Sequence, residues 1–102
     1  MTQERLVAYL NDAIRHNFSC DAKYRETVEV KEFYGQTPVW GGDVVIFEIE
    51  HPDAKVCYAW PVFNDQEKVV GAKTVLGKPP VDTALAAVRA AIVADHRERA
   101  KN

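Results

Sequence analysis

At 102 residues and 47% hydrophobic content, the chain has the size of one ordinary domain and enough apolar material for a core without disulfide or metal staples. Thirteen Lys and Arg against fifteen Asp and Glu leave a formal charge of -2, which argues against a broad positive field for nucleic acid or anionic lipid. Two cysteines, Cys20 and Cys57, are too few for a disulfide-dense scaffold and form no Cys-x-x-Cys pair, so both are expected as reduced thiols.

No stretch approaches the roughly 20 apolar residues that cross a bilayer. Residues 1–5 carry no basic run followed by an apolar segment, so a cytoplasmic location with no membrane partner is expected. Residues 3–16 place Leu6, Leu10, Ala13 and Ile14 at helical spacing, with Thr2 as N-cap and Asn17 able to take a left-handed end.

From 24 to 34 the period drops to two, with Val28, Val30 and Tyr34 on one side and Thr27, Glu29 and Lys31 on the other. Gly35-Gln36 turns the chain, Trp40-Gly41-Gly42 reads as a bulge, and 44–50 forms a second strand with Val45, Phe47 and Ile49 on one face. His51-Pro52-Asp53-Ala54 is turn chemistry.

A third strand, 55–63, then alternates Val56, Tyr58, Trp60 and Val62 against Cys57, Ala59 and Phe63, and Pro61 favours an edge or a strand end. Residues 69–76 are rich in β-branched side chains and read as a fourth strand, although Gly71 is unfavourable inside one. After Gly77-Lys78-Pro79-Pro80, Asp82 can cap a helix whose stripe is Leu85, Val88 and Ile92, padded by Ala84, Ala87 and Ala91. Residues 97–102 are nearly all charged or polar and are expected to fray.

The spacing therefore predicts a single α+β domain over 1–102: a four-stranded antiparallel meander between an N-terminal and a C-terminal helix, α-β-β-β-β-α, with both helices on one sheet face. This order is similar to that of the double-stranded RNA-binding domain. That family places a Gly- and Lys-rich motif at the start of its last helix, whereas Gly77-Lys78-Pro79-Pro80-Val81-Asp82-Thr83 holds one basic residue, so the likeness is of element order and carries no function.

Candidate chemistry is sparse. His16, Cys20, His51, Asp53 and Cys57 could ligate a metal but repeat no zinc spacing, so no metal and no cofactor is expected. Cys20, four residues after His16 and near Lys23 and Arg25, is the better nucleophile candidate of the two cysteines, but the favoured reading is an ordinary loop thiol. Glu48 and Glu50 alternate as a solvated strand face does, and no spacing gives His16, His51 or His96 a catalytic role. Gly71-Ala72-Lys73-Thr74 lacks the Walker arrangement, and Pro79 and Pro80 remove amides that would hold an anion at Gly77-Lys78.

The aromatic residues are the suggestive feature. Trp40, Tyr58 and Trp60 come from neighbouring strands and supply either core or a recognition surface, with His51 near one end. The leading expectation is a noncatalytic interaction module that uses a sheet face or edge to bind a protein partner or a second copy. Val44 and Ile46, opposed to Val45, Phe47 and Ile49, suggest that a homodimer covers the second face. The alternative is a small-ligand-binding protein or enzyme with its pocket between sheet and helices, bordered by Tyr58, Trp60 and His51. A nucleic-acid reading would need a positive patch at Lys68, Lys73 and Lys78.

Overall fold

The computed structural model describes residues 2–100, the side chains of 99 and 100 excepted. The elements are α1 Gln3–Phe18, β1 Ala22–Tyr34, β2 Thr37–His51, β3 Ala54–Phe63, β4 Val69–Leu76 and α2 Ala84–Ala100. The strands form one open antiparallel meander in the order β1-β2-β3-β4, which is the predicted α-β-β-β-β-α architecture. No helix among the described residues is long and apolar enough to cross a membrane.

Thr2 caps α1, its hydroxyl accepting the Arg5 N–H at 3.2 Å. Helix α1 runs past Asn17 and stops at Ser19, whose φ of 54° is left-handed and whose N–H bonds to the Arg15 carbonyl at 2.9 Å. The added turn brings Phe18 edge-on to His51, with ring centroids 6.0 Å apart. Asn17, expected to end the helix, instead donates from Nδ2 to Thr74 Oγ1 on β4 at 2.8 Å.

The helices do not share a sheet face. Leu10 and Ile14 of α1 pack with Val45, Phe47, Ile49, Cys57 and Ala59, whereas Ala84, Ala87 and Val88 of α2 pack with Val44, Ile46, Tyr58 and Trp60. Alternate strand residues point to opposite faces, so α1 covers one side and α2 the other. The physical reason lies in β2 and β3, where residues 44–47 and 57–60 are buried without a break. A strand buried on both sides needs a cover on both. Val44 and Ile46 are thus occupied by α2 rather than left for a dimer to cover.

Thr83, not Asp82, caps α2: its hydroxyl accepts the Ala86 N–H at 3.1 Å. Ala84 and Ala87 let α2 lie close over Tyr58 and Trp60, and Val88 is fully buried. Leu85 is only half-buried, so the buried stripe is rotated from the one the spacing predicts, and Leu85→Ala should cost less than the roughly 2 to 5 kcal/mol of a fully buried leucine, read from the urea midpoint. The helix continues through Ala100, so 97–100 are helical where fraying is expected; 101 and 102 lie outside the described residues.

Two ion pairs tie α2 to the sheet. Lys73 Nζ on β4 meets Asp95 Oδ1 at 2.8 Å, and the Arg89 guanidinium grips the Glu32 carboxylate on β1. That guanidinium, with the Phe33 N–H at 2.9 Å, holds the Glu32 carboxyl below its ordinary 4.5. A lowered folded value stabilises the protein above the unfolded value and is lost as pH falls through the folded one. The urea midpoint of the wild type should therefore fall more between about pH 6 and about pH 3 than that of Glu32→Gln.

The sheet is forked. β2 pairs with β3 from His51↔Ala54 to Val45↔Ala59 and no further. Beyond that point β2 stays with β1 to Thr37, and β3 stays with β4 to Phe63. Pro38 and Pro61 both lie in the stretches that have left the central ladder, where a missing donor costs nothing to β2–β3 pairing. The bulge expected at Trp40-Gly41-Gly42 is one residue earlier: Trp40 opposes Glu32 and Pro38 opposes Phe33, leaving Val39 unopposed. Tyr34, at the end of β1 beyond this shift, is 83% exposed.

Candidate functional site

With a helix on each face, the sheet presents its two outer edges, and they differ. Edge β1 carries Lys23, Arg25, Glu26, Glu29, Lys31 and Glu32, and its register breaks at Tyr24/Glu26 and again at Glu32/Phe33. Charges and bulges are how natural edges avoid pairing with another chain. Edge β4, Val69–Leu76, has one charged residue, Lys73, already bonded to Asp95, and no proline. Its register with β3 is continuous from Gly71 to Leu76; Val70, beside Gly71, is the bulge residue that glycine in a strand commonly marks.

Which β4 amides are free follows from one bond. The Gly77 N–H donates to the Val56 carbonyl at 2.8 Å, one step beyond the Cys57↔Leu76 pair. Antiparallel ladders alternate, so Val75, Lys73 and Gly71 turn their backbone groups to β3, while Leu76, Thr74 and Ala72 turn theirs outward. Val70 and Phe63, each more than half exposed at the start of this edge, add apolar surface.

The fork of the sheet forms a cleft of about 510 Å³. Trp60, buried, and Trp40, half-buried, meet there with ring centroids 5.8 Å apart and planes at 72°. Gly42 makes room, since a Cβ there would stand 3.3 Å from Cη2 of the Trp40 ring. Leu6 of α1 reaches the cleft from one face of the sheet and Val88 and Ile92 of α2 from the other, with Asp43, Lys73 and Asp95 also on its wall.

Of the four residues the sequence singles out, the structure brings three into one cluster. Tyr58 and Trp60 are buried together and Trp40 packs against them. Tyr58 lines a neighbouring hollow rather than the cleft itself, and burial, reinforced by the nearby Asp82 charge, holds its phenol above the ordinary 10. His51 is not with them. It sits at the opposite end of β2, where its Nδ1 accepts the Asp53 N–H at 3.0 Å and its ring meets Phe18. The larger depression around it, about 1030 Å³, is a surface hollow among exposed charged side chains such as Asp21, Lys23, Glu48 and Lys55.

Cys57 is buried, and burial pushes its thiol up to about 12, which keeps it protonated at neutral pH; Cys20 packs at the margin of the same core. Lys68 and Lys78 lie beyond opposite ends of β4, and Lys73 between them is paired to Asp95. Sequence reasoning did not find Asp43, Lys73 and Asp95 as cleft residues. Their only shared signal is proximity across three elements, which one sequence does not display.

No protein-family model, curated protein or solved structure matches this chain. The functional reading rests on the residues themselves.

Proposed function

We propose that the chain is an interaction module that works through its β4 edge, where a second copy adds its own β4 antiparallel to the first. The observation that supports this reading is the contrast between the two edges: β1 is charged along its length and bulged at Arg25, and β4 is apolar but for Lys73 and Thr74 and regular over 71–76. Pairing β4 with β4 about a two-fold axis is isologous and closes at two copies.

The outward amides choose the register. Placing the axis at Thr74 sets Thr74 opposite its own copy, Ala72 opposite Leu76, and Lys73 opposite Val75. Roughly six backbone hydrogen bonds then form across the junction. Thr–Thr pairs are favourable neighbours across strands, and this register keeps the two Lys73 side chains apart, whereas centring on Lys73 would oppose like charges.

Ala72→Pro tests the proposal, because it removes an outward N–H that the isolated chain does not use, and edge strands tolerate proline. By sedimentation velocity, the wild type should be a dimer and Ala72→Pro a folded monomer with unchanged circular dichroism. A wild type that remains monomeric at high micromolar concentration would remove the reading, as would a dimer that Ala72→Pro leaves intact.

A further inference from the structure

The cleft in the fork is unaccounted for by edge pairing. A continuous four-stranded ladder would pair Val44 with Trp60 and Gly42 with Val62 by the register that holds up to Val45↔Ala59. Instead the strands separate and about 510 Å³ opens between them. That volume lies in the range of small-molecule sites, which are typically apolar with a few placed polar groups.

The cleft has that composition. Its walls are Trp40, Trp60, Phe63, Leu6 and Ile92, and the charged groups on it are Asp43, Lys73 and Asp95. Lys73 is committed to Asp95 at 2.8 Å, and Asp43 takes part in no ion pair among the described residues. Two carboxylates against one ammonium make the cleft net acidic. Indole is the best aromatic partner for a cation, and two indoles set nearly at right angles offer a face and an edge to one small group.

We infer that this cleft binds a small organic cation with an apolar or aromatic body, the charged group lying against Trp40 between the Asp43 and Asp95 carboxylates and the body lying over Trp60 and Ile92. An anionic ligand would have to displace Asp95 from Lys73 and then face both carboxylates. A neutral one would leave Asp43 without a role.

Both tryptophans of the chain are in this site, so their two indole N–H signals in a proton–nitrogen correlation spectrum report on it directly. The probes are benzyltrimethylammonium and its neutral isostere neopentylbenzene. The cation should shift both indole signals saturably, and the neutral isostere should bind more weakly. Asp43→Asn, at an exposed position, should weaken the cation by roughly two- to fivefold, the size expected of a solvated charge pair. Ala91→Phe, which fills the cleft from α2, should abolish the shift while leaving the dispersion of the remaining spectrum intact.

Absence of a saturable shift at either indole would overturn the inference, and so would equal binding of the two probes or full binding by Ala91→Phe. None of these readouts depends on the β4 edge. The same titration on Ala72→Pro keeps the two proposals separate.

Discussion

Phe47→Ala should lower the free energy of unfolding by about 3 to 5 kcal/mol, read from the shift of the urea midpoint at constant slope. Phe47 is the largest of the fully buried side chains and lies at the centre of the α1 face, between Leu10 and Ile14 above and Val45, Ile49 and Cys57 beside it. Its ring also receives Tyr24 edge-on, with centroids 6.4 Å apart, so truncation removes an aromatic contact as well as buried area. Domains of this size typically have about 5 to 15 kcal/mol in total, so the variant should be close to half unfolded under mild heating. A midpoint unchanged from wild type would mean that α1 does not cover this face.

Val88→Asp should cost more than about 4 kcal/mol, because it places a carboxylate in a fully buried apolar site. The core cluster it shares with Trp60, Tyr58, Val44 and Ala84 holds no cation, and the Lys73 ammonium on the wall of the same cleft is already paired to Asp95. Loss of α2 would expose Trp60, so a red shift in tryptophan emission should accompany unfolding. Burial raises the pKa of the introduced carboxyl, so the deficit is present at neutral pH and shrinks as pH falls and the group takes up its proton. A Val88→Asp protein as stable as wild type would contradict the placement of α2 on the Val44 side.

These two variants probe opposite faces of one sheet, and that arrangement is where sequence and structure part. The alternation in residues 24–34 and 55–63 and the helical spacing of Leu6, Leu10 and Ile14 give the elements and their order. The run Val44-Val45-Ile46-Phe47 holds apolar side chains at every position, which is the pattern of a strand covered on both sides. With both helices expected on one face, its second side is left for another copy to cover. The alanines of α2 do imply close packing on a sheet, but not which face, and they lie over Tyr58 and Trp60 on the Val44 side.

The bulges were legible only in part. Gly71 is a visible irregularity in β4, yet the unopposed residue is Val70; the glycine pair Gly41-Gly42 stays in register, and Val39 is displaced. Register shifts depend on what the neighbouring strand offers, which local propensity does not record. The Trp40–Trp60 meeting is legible from strand adjacency. The fork that makes it a cleft depends on β2 and β3 separating beyond the Val45↔Ala59 pair, and Pro38 and Pro61 are the residues whose chemistry hints at it. The contrast between the edges is present in the composition of the two segments, but it acquires meaning only once the order β1-β2-β3-β4 puts those two strands outermost.

The most direct test of the central proposal is amide hydrogen exchange of β4, compared between concentrated and dilute wild-type protein. Pairing of β4 with a second copy predicts that the outward amides of Ala72, Thr74 and Leu76 are protected at high concentration and lose that protection on dilution, and that those of Thr74 and Leu76 lack it at both concentrations in Ala72→Pro. Fast exchange of these amides in concentrated wild-type protein, with Gly71, Lys73 and Val75 protected by β3 alone, would contradict it.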